Sequence, residues 1–199
     1  MQKIDLEKER RKLDREITFF HFRRAKRIIL RALKEARKDS QWFYIYYFTA
    51  QNYILSEKFR WAIKYLNKAL HLRPSDGCTY NDKALCVAEL GFYEKALACF
   101  NQGIAKDRDC ASLYHNKGWL LNFLGEYKDA ILCFRKALEL EEGRPEALFS
   151  LADSYYHLGE YQEAKKYFGK ASRVIEGKCS YLRREVARHL KKVKLNSCL

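Results

Sequence analysis

Apolar and polar positions return in register along most of this 199-residue chain. LGFYEKALACF at 90–100, LGEYKDAILCF at 124–134 and LGEYQEAKKYF at 158–168 share one pattern and stand 34 residues apart. KFRWAIKYLNKALHLRP holds the matching place one step earlier. Four units therefore follow one another without insertion: 43–76, 77–110, 111–144 and 145–178. A fixed period of this length marks a repeat array, in which each unit buries its apolar face against its neighbours. The eighth, twentieth and twenty-seventh places hold Ala50, Ala62 and Ala69; Ala84, Ala96 and Gly103; Gly118, Ala130 and Ala137; and Ala152, Ala164 and Ala171. Every one is Ala or Gly, as expected where helices pack too closely for a larger side chain.

Other places repeat as well. The seventeenth is aromatic, as Phe59, Tyr93, Tyr127 and Tyr161, and the twenty-fourth is large and apolar, as Leu66, Phe100, Phe134 and Phe168. Gly91, Gly125 and Gly159 recur where a first helix should stop, since Gly enters the left-handed conformation that ends helices. This set resembles the tetratricopeptide repeat, a helix–turn–helix unit of the same length. The resemblance implies an all-α, right-handed superhelix (an α-solenoid) over residues 43–178. Two departures stand out. Glu57 replaces the turn glycine in the first unit, which predicts a strained or differently shaped turn. Pro74 fills the family's inter-repeat proline place, but Arg108 and Glu142 replace it later. Only two prolines and nine glycines in the chain agree with helices rather than a many-stranded sheet.

The flanks carry their own periodicity. In 179–199, Leu182, Val186, Leu190 and Val193 form a stripe opposite Arg183, Arg184 and Lys191, which predicts a helix capping the last apolar face. In 1–42, Phe22, Ala25 and Ala32 have the spacing of the aromatic and small places. A degenerate repeat from Leu6 to Asp39 fits, as does one long basic helix. Phe19, Phe20, Phe22, Ile28, Ile29 and Leu33 are too apolar for a free tail and should pack on the helix that follows.

That helix begins in SQWFYIYYFTAQNYIL, Ser40 to Leu55, where seven of sixteen residues are aromatic. It is too short to span a bilayer, which needs about 20 apolar residues. In the repeat frame Tyr46, Thr49, Ala50 and Tyr53 should be core, while Tyr44, Tyr47, Phe48 and Gln51 should face the groove. The resemblance implies that first helices line a concave surface that holds a partner's peptide or helix. The inward places are then Tyr47, Phe48 and Gln51; Asn81, Asp82 and Leu85; Asn116, Trp119, Asn122 and Phe123; and Phe149, Asp153 and Tyr156. Aromatics can bury side chains of a peptide, and amides can pair with its backbone. Trp119 is the leading anchor, because Tyr114 already fills the bulky fourth place; an aromatic that only pads the inter-repeat wall is the plainer alternative. Some members of the family clamp acidic chaperone tails with Lys, Asn and Arg. The matching places here are Tyr47, Gln51, Asp82, Ser112 and Asn116, or, one unit on, Asn81, Leu85, Asn116, Glu146 and Ser150. Neither set supplies the cations, so the resemblance does not extend to that mode of capture.

Charge adds a second possibility. The chain carries a formal +14, of which +7 falls in 1–42 and +5 in 179–199, leaving +2 between them. Basic ends, with Arg183, Arg184, Lys191 and Lys192 as the C-terminal patch, could meet nucleic acid or an anionic membrane. Stacking into homo-oligomers is a third possibility. Seven cysteines without metal-ligand spacing, and no apolar leader, suggest reduced thiols in a cytoplasmic protein. Five scattered histidines form no catalytic motif. No catalytic residue, cofactor or metal is expected, and the partner is an unspecified protein or peptide.

Overall fold

Ten alanines and two glycines sit at the helix crossings, and all of them are buried. The structure, a computed structural model, describes residues 4–18, 21–175 and 180–196. Among the described residues all regular structure is helical. The helices divide into two compact units, residues 1–107 and 108–199. The first holds α1 (Leu6–Thr18), α2 (Phe22–Lys38), α3 (Trp42–Ile54), α4 (Phe59–Leu72), α5 (Gly77–Glu89) and α6 (Tyr93–Lys106). The second holds α7 (Ala111–Phe123), α8 (Tyr127–Leu140), α9 (Pro145–His157), α10 (Tyr161–Ile175) and α11 (Ser180–Asn196). Within each unit every helix packs on the next one in sequence. Leu66, Phe100, Phe134 and Phe168, the large residues of the second helices, are fully buried.

The turns inside the four repeats close in the same way. Each first helix ends with a backbone bond reaching back five residues: Lys58 N to Tyr53 O, Phe92 N to Val87 O, Glu126 N to Leu121 O and Glu160 N to Tyr155 O, all between 2.9 and 3.2 Å. This closure needs one left-handed residue. Gly91, Gly125 and Gly159 supply it with φ near +80°, and Glu57 is forced to φ 55° in the first repeat. The expectation for Glu57 resolves towards strain: the turn keeps its shape and the side chain bears the cost.

At the N-terminus two helices, not one, precede the aromatic run. Leu13 of α1 and Ala25, Ile29, Ala32, Leu33 and Ala36 of α2 share a core with Phe43, Tyr44, Tyr47 and Phe48 of α3. Ile28 is half-buried against that core. Phe22 departs from expectation and is exposed, while Phe19 and Phe20 lie outside the described residues. In the second unit, α11 turns Val186 and Val193 inward and keeps Arg183, Arg184, Lys191 and Lys192 exposed. Leu190 is half-buried, and the side chain of Leu182 lies outside the described residues.

Two substitutions test the packing. A Cβ on Gly118 would meet the ring of buried Phe134 at 2.9 Å, whereas one on Gly169 would meet nothing within 4 Å. Gly118→Ala should therefore lower stability by about 1–2 kcal/mol through overpacking. Gly169→Ala should raise it by about 0.5–1 kcal/mol through helix propensity. Urea unfolding of both proteins would register the opposite signs. In the same assay Glu57→Gly should gain about 0.5–1 kcal/mol, since relief of the left-handed strain exceeds the added chain entropy.

Candidate functional site

The predicted inward surface differs between the two units. In the first it is closed. Tyr47, Phe48, Gln51 and Asn81 are buried, and Asp82 and Leu85 are half-buried. Tyr44, also expected to face the groove, is buried too. Of the residues expected in the core, Ala50 is buried, while Tyr46, Thr49 and Tyr53 are only partly so. The reason is α1, which supplies a neighbour on the side that would otherwise be open.

Arg10 of α1 makes the closure. Its guanidinium bonds both carboxylate oxygens of Asp76, at 2.9 and 2.8 Å. It also lies over the rings of Tyr47 and Phe43, with centroids at 4.2 and 5.2 Å. Glu7 accepts bonds from the Tyr44 hydroxyl and from Arg73, each at 2.9 Å. Burial pulls Glu7 upward, but the cations and the hydroxyl hold it below its ordinary value. Asp76 also caps α5, accepting from Thr79 N at 2.9 Å. One carboxylate thus starts a helix and fixes α1 across the aromatic helix.

Beneath Arg10, Gln51 donates to Asp82, and Asn81 donates to its other oxygen at 3.4 Å. Burial, and then the neighbouring Asp14, push Asp82 up to about 7.

The second unit keeps part of the predicted surface open. Trp119 and Phe123 of α7 are 44% and 61% exposed and stack at 6.1 Å with rings 15° apart. Asn116 is half-buried beside them in sequence. Asn122 is committed to the protein: it donates to Asp153 at 3.1 Å and accepts from the Ser154 hydroxyl at 2.7 Å. On α9, Phe149 meets His189 of α11 edge-on at 5.3 Å, and Tyr156 meets it at 6.5 Å. Asp153 lies 3.7 Å from the same imidazole. The capping helix therefore covers Phe149, Asp153 and Tyr156, much as α1 covers the first unit. His115 is buried against Phe134, and burial with the nearby Arg144 pushes it down to about 3.

Sequence reasoning missed Arg10, whose role depends on partners 66 residues away. It also missed an open cleft of about 660 Å³ between α8, α9 and α10, with Leu148, Leu151 and Tyr167 in its wall beside Arg135, Lys170 and Arg173. Those residues sit on three helices, and no local motif links them. Among the described residues no group of three or more His, Cys, Asp or Glu is placed to hold a metal.

The pH dependence of Asp82 has a definite sign. Its folded value lies above the ordinary value of 3.8, so the stability it contributes is complete below that value and is lost as pH rises through 7. Asp82→Asn should therefore change little at pH near 4. It should stabilise the protein by about 1–2 kcal/mol at pH near 8, because the buried charge is gone. Thermal melts of both proteins at the two pH values provide the check; destabilisation at the higher pH would reverse the assignment.

Comparison with known proteins agrees with this geometry. The model of the family described as anaphase-promoting complex, cyclosome, subunit 3 matches residues 124–194. Comparison with the curated proteins gives no match. Among solved structures, TTC0263, a thermophilic TPR protein in Thermus thermophilus, superposes with a TM-score of 0.75 at 22% identity, covering 94% of this chain and 99% of that one. A MamA protein gives 0.59 at 20% identity, covering 79% of this chain and 92% of the other. The first TPR of Spaghetti (RPAP3), solved bound to the HSP90 peptide SRMEEVD, gives 0.57 at 18% identity, covering 62% and 94%. The period, the buried small-residue crossings and these likenesses together identify the chain as one built on the tetratricopeptide-repeat fold.

Proposed function

We propose that the chain is a protein-binding module that holds a peptide or helix of a partner against α7, with Trp119 and Phe123 as the anchors. One observation carries the reading. At the ninth place of its repeat Trp119 is exposed, whereas its equivalents Gln51, Leu85 and Asp153 are buried or half-buried. Two stacked aromatics held in water form the apolar centre that an interface needs, and Trp is enriched among residues that dominate binding energy. The RPAP3 domains support the reading at the level of fold, since the first is solved with an HSP90 peptide and the second with an HSP70 peptide. The clamp cations are missing here, so the segment favoured is apolar or aromatic rather than an acidic chaperone tail.

Affinity capture from the source cell, read by mass spectrometry, tests this. A partner enriched by the wild-type protein should be lost with Trp119→Ala, at a cost of about 2–4 kcal/mol in affinity. Stability should fall by only about 1–2 kcal/mol, because about half of the ring is buried and stacks on Phe123, so the fold persists. Retention should depend only weakly on salt. An unchanged set of captured proteins, or one removed by moderate salt alone, would sink the assignment.

A further inference from the structure

Eight of the seventeen residues of α2 are exposed Lys or Arg, against a single acid, Glu35. Lys38 already pairs with Glu35 at 2.7 Å, and Arg31 pairs with Glu9 of α1. Arg23, Arg27, Lys34 and Arg37 recur at intervals of four, seven and three, which sets them along one stripe of the helix. None of these four makes an ion pair among the described residues. The stripe is about 21 Å long at the α-helical rise. In its middle, between Arg27 and Lys34, stands Leu30, 56% exposed. Phe22 begins the helix at 53% exposed, and Trp42, four residues past its last residue, is 55% exposed.

Charge of this density calls for a polyanion, and the apolar side chains decide which kind. A leucine held out in water between cations fits a helix lying on a membrane. There the apolar group enters the boundary between headgroups and acyl chains while the cations meet lipid phosphates. A phosphodiester chain would answer the charge but would leave Leu30 nothing to bury against. We propose that the outward face of α2 is a peripheral docking surface for anionic lipid. No helix among the described residues is long and apolar enough to cross a bilayer, so the contact is superficial. It belongs to the unit of residues 1–107, whereas α7 belongs to the other unit.

Co-sedimentation of the full chain with lipid vesicles tests it. One set is phosphatidylcholine alone; the other contains about 30% phosphatidylserine, a composition rich in negative surface potential. Binding is expected to the anionic vesicles only, and to weaken as salt shortens the screening length. Replacing Arg23, Arg27, Lys34 and Arg37 together by Gln should lower partitioning by about 100-fold or more. Leu30→Ser should lower it by about 10-fold with the charge intact, since the buried methyl groups are lost. All five positions are on the outer face, so the variants should give wild-type circular dichroism and melting. Equal binding to both vesicle types, or an indifferent Leu30→Ser, overturns the proposal. So does a wild-type chain that ignores anionic vesicles yet shifts a labelled single-stranded oligonucleotide, which would assign the stripe to nucleic acid.

Discussion

Everything in this fold depends on how closely neighbouring helices approach. At each crossing a Cβ or a bare Cα meets the facing helix, and only there can large residues such as Phe100 and Phe134 fill the space on either side completely. Gly118 shows how little slack remains, because even one methyl group would press on the ring of Phe134. Close packing of this kind fixes the angle of each pair, and the angle fixes which first-helix positions face inward.

A repeat array must also deal with its ends, where a first helix lacks the neighbour that covers it elsewhere. The two units answer with different chemistry. In the first, α1 lays Arg10 over Tyr47 and Phe43 and ties it to Asp76. Removing the arginine would take the bidentate cation from Asp76 and the guanidinium from the face of Tyr47, so the cover and the start of α5 are coupled. In the second, α11 places His189 among Phe149, Tyr156 and Phe168. The inward residues of the outer repeats are thus used by the protein itself.

What remains exposed is informative for that reason. After both covers are in place, Trp119 and Phe123 still stand in solvent on α7, and Leu30 still stands in solvent among the cations of α2. The first is an aromatic pair suited to a side chain of another protein. The second is an amphipathic stripe suited to a charged lipid surface. They lie in different units and carry different chemistry.

The repeat, its small-residue crossings and its turn glycines were legible in the sequence, because each depends on local spacing and on conformations that only small residues tolerate. The strain at Glu57 was legible for the same reason: the frame demands a left-handed residue there whatever its type. Trp119 was legible as an oddity at its place in the repeat. The accessibility of the aromatic run was not. Whether Tyr47 and Phe48 line a groove or a core depends on what covers them: Phe48 lies in the core shared with α1 and α2, and Tyr47 is covered by Arg10, whose partner Asp76 stands 66 residues further along the chain. Ionisation of Asp82 has the same origin, since it follows from burial and from Asp14 on another helix. Period and residue type are properties of the chain, but burial is a property of neighbours, and only the folded structure brings those neighbours together.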